Sequence, residues 1–156
     1  MSNILLMIAM HKDVQQKMVN ELNEVFPSNQ EPVDFHMLSK LTYTEMVIKE
    51  TLRLFPVAAF TLRTLTDDFE LDEYTIPAGA NILISTHAVH HNKKYWGEDA
   101  EIFIPERFEP ESFKEIHPYA YIPFSSKILF LLIVNFNTFN SKLQRDQRFV
   151  SVIVMQ

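Results

Sequence analysis

The chain has 156 residues and a formal charge of −6 at pH 7, and it is 47% hydrophobic and 22% charged. That is the size and make-up of one ordinary soluble domain, able to bury about 70% of its unfolded surface, and it lacks the basic bias of a nucleic-acid binder. There is no cysteine, and Gly79 and Gly97 are the only glycines. Disulfides, zinc–thiolate sites, thiol nucleophiles, thiolate ligands and glycine-rich phosphate cradles are thereby excluded.

The opening stretch, MSNILLMIAMHKDVQQK, has no basic region before its apolar part and no small-residue cleavage site after it. The apolar part is shorter than the ~20 residues that span a bilayer. Residues 3–26 read as helix in two pieces, because Met7, Val14, Met18, Leu22 and Val25 recur at helical spacing, with Asp13 available to cap the second start. Pro27–Pro32 is a loop, and a short helix fits Phe35–Leu38.

Thr42 followed by Glu45 forms a capping-box pattern, so a helix begins at Tyr43. It should end near Leu54, because Pro56 disfavours helical geometry in the residue before it. The period then changes to two. Phe60 and Leu62 alternate with Thr61 and Arg63, and Phe69/Leu71, Tyr74/Ile76 and Asn81–Ser85 follow, with a turn at Pro77–Gly79. This predicts a small antiparallel meander. Thr86–Asn92 suits a short helix, and KYWGEDAEIFIPERFEPESF reads as a structured loop packed by its rings. The fold class is mainly α with a small antiparallel sheet.

The helix from Tyr43 carries a departure from its own pattern. Tyr43, Val47 and Leu54 mark an apolar stripe, and the position between them is Glu50. Arg53, three residues on, shares that face. A buried carboxylate is tolerated only when paired and hydrogen-bonded, and a planar guanidinium suits that role. Arg107, in Pro105–Phe108 (PERF), is a candidate third partner. Spacing alone equally allows a solvated surface pair. Separately, His87, His90 and His91 share a helical face and raise a metal module as an alternative, although no acid completes it. There is no Gly-x-Ser-x-Gly elbow, and no pair of acids is marked for acid–base work, so a hydrolase is set aside.

LTYTEMVIKETLRLFP, then Arg63 on a strand, YTIPAGANILIS, HHNKKYWGEDAEIFIPERF and HPYAYIPFS occur in an order that resembles the cytochrome P450 family of haem-thiolate monooxygenases. The likeness is to microsomal enzymes, in the branch with fatty-acid hydroxylases and many insect enzymes. It implies a partial cytochrome P450 fold over residues 1–126, starting at the end of the central helix. Glu50, Arg53 and Arg107 would form a buried structural ion-pair network. Arg63 would donate to a haem propionate, and Val57, Ala58, Ala59, Phe60, Thr61 and Leu62 would line the substrate pocket. Haem, a small organic substrate and a reductase are the implied cofactor and partners. The implied location is the endoplasmic reticulum membrane, through an anchor that these residues do not contain. The acid–threonine oxygen-activating motif of the family lies just before the segment that MSNILL resembles.

After IPFS the family pattern continues through glycine and arginine to the ligand cysteine and a further glycine. Here Lys127, Leu129, Leu131 and Ile133 stand at those four positions, with Leu131 in place of the cysteine. Residues 127–156 therefore read as a tail outside the family, from intron read-through or a frameshift, and the chain as written as an inactive monooxygenase fragment. The alternatives are that Ile128–Val134 is a core strand or helix of a diverged protein, or that the product acts, if at all, as a non-catalytic interaction protein.

Overall fold

The computed structural model describes residues 1–27, 34–71, 74–124 and 152–155. The chain divides into two units, one of residues 1–55 and 102–116, the other of 56–101 and 117–156. Helix dominates, and the strands are short and antiparallel.

The first unit holds α1 (Ser2–Met10), α2 (Lys12–Val25), α3 (Phe35–Leu38), α4 (Thr42–Leu54), a 3-10 turn (Pro105–Phe108) and α7 (Pro110–Lys114). The two-piece helix is present. Asp13 does not cap its second start, however: His11 is the N-cap residue without a side-chain bond, and Asp13 lies in the first turn. An acid there still suits the helix dipole. Met7, Val14, Val47, Leu54 and Phe103 form the buried apolar cluster, with Ile8, Met18 and Tyr43 packed against it. The stripe read from the sequence thus points into this core. Helix α4 ends at Leu54, and Phe55 and Pro56 follow.

The start of α4 differs from expectation. Leu41 is the N-cap residue, and the Thr42–Glu45 box does not form. The carboxylate of Glu21 on α2 takes its place. It accepts from the backbone N–H of Tyr43 at 2.6 Å and of Thr44 at 2.8 Å, and from the hydroxyls of Thr44 at 2.7 Å and Thr42 at 3.2 Å. Glu45 instead pairs with Lys49 one turn on, at 2.7 Å.

The second unit corrects the predicted meander. Strand β1 (Phe60–Thr64) pairs with β4 (Asn81–Ser85), in the register Leu62 opposite Leu83. Strands β2 (Phe69–Leu71) and β3 (Tyr74–Ile76) form a separate antiparallel ribbon. Hence Pro77–Gly79 links two sheets and is not a hairpin turn within one. Gly79 has φ +84°, a conformation that side-chain-bearing residues rarely adopt. Strand β5 (Val152–Met155) lies antiparallel on the other side of β4, giving the order β1-β4-β5. Leu65, Ile76, Ile82 and Ile84 make the buried cluster of this unit.

Helix α5 (Thr86–His90) follows β4 directly, with the Ser85 hydroxyl accepting from the Ala88 N–H at 3.1 Å. The predicted aromatic loop is more regular than expected. It contains α6 (Lys93–Trp96), whose cap is the Asn92 side chain, as well as the 3-10 turn and α7 of the first unit.

Candidate functional site

Helix α4 turns Glu50 and Arg53 to the same side, and both are fully buried, at 0% exposure. The guanidinium meets the carboxylate as a fork: Nε donates to Oε2 at 2.7 Å and an Nη2 proton to Oε1 at 2.8 Å. Two parallel charge-assisted bonds make this the strong, oriented form of an ion pair. The solvated surface pair is therefore not what the structure contains.

Each partner also reaches a backbone group of the PERF approach. Glu50 Oε1 accepts from the Ile104 N–H at 2.9 Å, and Arg53 donates to the Ile102 carbonyl at 3.2 Å. Arg107 Nε lies 3.7 Å from Glu50 Oε1. That is ion-pair distance, longer than a hydrogen bond. The arrangement ties α4 to residues 102–107 through two backbone bonds, a long ion pair, and Phe103 in the apolar core. Sequence reasoning missed the Ile102 and Ile104 contacts, because a backbone N–H or carbonyl has no side-chain signature.

A second polar group sits on the same unit. Glu106 accepts from Lys17 at 2.7 Å and from the Tyr43 hydroxyl at 3.2 Å, and the Lys17 ammonium lies 5.3 Å from the Tyr43 ring centre. Burial alone would push the Glu106 carboxyl up, but the bond from Lys17, its positive charge and the Tyr43 hydroxyl hold it below the ordinary value. Burial and the Glu106 charge push the Tyr43 phenol up. Glu21 likewise has its burial outweighed, chiefly by the Thr44 hydroxyl and the Tyr43 and Thr44 amides, and is held low.

In the second unit Arg63 is mid-strand on β1, and its guanidinium donates to the Leu62 carbonyl at 2.8 Å. Val57, Phe60 and Leu62 are 79%, 63% and 50% exposed, Ala58 and Ala59 are open as well, and Thr61 is half-buried. The alternation on β1 thus places its apolar side chains outward, where a half-buried strand would bury them. The three histidines do not converge. His87 and His91 stack on each other with ring centres 4.0 Å apart. His90 turns its Nε2 to the Ile122 amide at 2.8 Å. Among the described residues no three histidine or acidic side chains are grouped to hold a metal. Leu131, and the run Ile128–Val134 around it, lie outside the described residues.

Helices with a small antiparallel sheet, and a buried Glu-x-x-Arg fork clamped to a Pro-Glu-Arg-Phe turn, define the class. The family model for cytochrome P450 matches residues 1–126. The chain belongs to the cytochrome P450 family. It is 42% identical over 126 residues to cytochrome P450 3A7 of Homo sapiens, covering 81% of this chain and 25% of that protein. It is 42% identical over 122 residues to cytochrome P450 4V2 of Mus musculus, covering 78% and 23%. Cytochrome P450 3A19 of Capra hircus aegagrus is 37% identical over 126 residues, covering 81% and 57%. The chain thus spans about a quarter of the length of the first two relatives.

Proposed function

We propose that residues 1–126 are the part of a microsomal haem-thiolate monooxygenase that frames the haem without ligating it, and that this chain as written does not insert oxygen. The whole enzyme in this reading carries out O2- and reductase-dependent oxidation of a small organic substrate. One observation carries the inactivity: the 156 residues contain no cysteine. A haem-thiolate iron takes its reactivity from an ionised thiol. This chain offers imidazoles, carboxylates and thioethers, so its donor set does not fit that cofactor.

The remaining roles follow from position. Glu50, Arg53 and Arg107 act as a structural network that fixes α4 to the PERF turn, which is supported by the buried fork and its two backbone bonds. Arg63 is the propionate donor, and Val57–Leu62 the pocket wall. The outward Val57, Phe60 and Leu62 support the latter, since apolar side chains left off a core are the material of a ligand site. Residues 127–156 are a tail outside the family in this reading, supported by the end of the family-model match at residue 126, while the alignments to two cytochrome P450 relatives run over 136 residues. The parent enzyme is anchored on the endoplasmic reticulum by a segment other than these residues. Among the described residues no helix is long and apolar enough to cross a membrane. The fatty-acid-hydroxylase and insect-type branch rests on the motif resemblance, since cytochromes P450 3A7 and 4V2 match equally well, at 42% identity.

The test is a reduced carbon monoxide spectrum of the chain supplied with haem. The expected result is no thiolate-type band. Such a band overturns the inactivity.

A further inference from the structure

Glu106 and Arg107 are consecutive residues of the 3-10 turn, and they reach different neighbours. Side chains of a 3-10 helix step round its axis by about 120° per residue. Glu106 reaches outward. Lys17 of α2 donates to its Oε1 at 2.7 Å, and the Tyr43 hydroxyl of α4 donates to the same oxygen at 3.2 Å. The group closes into a ring, because the Lys17 ammonium stands 5.3 Å from the centre of the Tyr43 ring. Arg107 turns inward, to Glu50 Oε1 at 3.7 Å, and its side chain is 14% exposed against 38% for Glu106.

Tyr43 and Glu50 lie two helical turns apart on α4, about 10 Å along its axis. One face of α4 therefore grips the turn at two places, through Tyr43 at Glu106 and through Glu50 at the Ile104 N–H. The ladder of the turn itself is short. The Arg107 N–H donates to the Ile104 carbonyl at 3.2 Å, and the Glu109 N–H to the Glu106 carbonyl at 3.1 Å. Side-chain ties thus carry much of its placement. On α2, Lys17 stands one turn before Glu21, but both Glu21 oxygens are engaged by the start of α4. The Lys17 ammonium goes to Glu106, and that bond is the main cause pushing it above its ordinary value.

We propose that Lys17, Tyr43 and Glu106 are positioning residues, an outer clasp that sets the place of Arg107 against Glu50. The inference rests on the reading of Glu50, Arg53 and Arg107 as a structural network and extends that network to α2. Without the ammonium, Glu106 Oε1 keeps the longer bond from Tyr43, and water competes for the carboxylate. The turn then loses its tie to α2. The Arg107 guanidinium, whose Nε is beyond hydrogen-bond length from Glu50, gains freedom to move. Lys17 and Glu106 are both substantially exposed, so their pair adds little to global stability. Its effect is local and falls on Arg107.

The test is hydrogen exchange and nitrogen NMR of the Arg107 Nε–H in the full chain. The amide of Val47, buried at the middle of α4, serves as the reference for global opening. In Lys17→Met the expected result is exchange at Arg107 faster by about three- to fivefold, the equivalent of an exposed ion pair, with a shifted Nε resonance and Val47 unchanged. Lys17→Arg, which restores a cation, should return both readings towards the wild type. Tyr43→Phe, which keeps the ring but not the hydroxyl, should move them in the same direction as Lys17→Met and by less. If Lys17→Met fails to fold, Tyr43→Phe decides. Equal acceleration at Arg107 and Val47 would be a loss of stability alone and overturns the positioning role. So does an Arg107 signal that both clasp variants leave in place while Glu50→Gln moves it. A wild-type Arg107 Nε–H that exchanges like that of a solvated arginine overturns the network reading, and the clasp with it.

Discussion

Taking the charge from Glu50 would leave the Arg53 guanidinium buried without its anion, with one oxygen fewer to share between Arg53 and the Ile104 N–H. Breaking a buried pair from one side costs about 3–5 kcal/mol. Glu50→Gln is therefore expected to lower the urea midpoint of the folded chain by a corresponding amount. An unchanged midpoint would mean that the pair is solvated in solution. Arg53→Lys keeps the charge but loses the second parallel bond of the fork, and hydrogen bonds to charged groups contribute about 1.5–3 kcal/mol each. It should destabilise less than Glu50→Gln, and the reverse order would show that geometry matters more here than charge. Two residues of this site were legible in the sequence, because a charge standing on an apolar stripe is visible in the spacing alone. The backbone groups at Ile102 and Ile104 were not, since any residue supplies an N–H and a carbonyl. The distance of Arg107 was not legible either, because resemblance conveys a partner and not a separation.

Single elements show why local signals mislead when a neighbour supplies the same chemistry. The Thr42–Glu45 pattern placed the start of α4 within one residue, yet the capping is done in trans by Glu21, 22 residues before Tyr43. A carboxylate at a helix N-terminus satisfies the free N–H groups and suits the dipole, whichever element it comes from. Glu21→Ala should cost about 0.5–2 kcal/mol, the range for losing an N-cap acceptor, and Glu45→Ala clearly less, because Glu45 is exposed and its ion pair is with half-buried Lys49 one turn on. Equal effects on the thermal midpoint would restore the capping box. The Glu21 carboxyl is held below its unfolded value, so the folded state keeps fewer protons as pH falls. Its contribution is complete above the unfolded carboxylate range and is lost as pH drops through the folded value. The acid limb of a stability–pH curve should thus be shallower in Glu21→Gln than in the wild type. Strand pairing failed for a related reason. The period of two located β1 to β4, but it carries no record of partners, and β4 bypasses the β2–β3 ribbon to reach β1.

At the scale of the whole molecule, the inactivity proposed above would separate the fold of the described residues from the chemistry of the cytochrome P450 family. The described residues keep the buried fork, the PERF turn and the strand carrying Arg63, while the chain contains no thiol to hold a haem iron. Two histories are consistent with a chain that has no cysteine, and one substitution separates them. If only the ligand had diverged, Leu131→Cys would supply a thiol on a backbone still shaped for it, and a thiolate-type carbon monoxide spectrum would appear. If the tail is foreign sequence, the backbone is wrong as well. By the resemblance, Lys127 and Ile133 stand where glycines permit a tight turn near the haem, and side-chain-bearing residues adopt such conformations only at a cost. Leu129 stands where the pattern has arginine. The expected result is that Leu131→Cys alone gives no thiolate-type band. Replacing residues 127–133 as a block with a loop carrying glycine, arginine, cysteine and glycine at positions 127, 129, 131 and 133 should do better than the single change. A band from the single variant would show that the loop geometry survived and that residues 127–156 diverged in place. Sequencing the transcript across the codons for Phe124 to Lys127 reaches the same question from the gene. A spliced form running from IPFS into that loop would make this chain a variant product of a monooxygenase locus. A uniform reading through SSKILFLL would make the loss a property of every product of the gene.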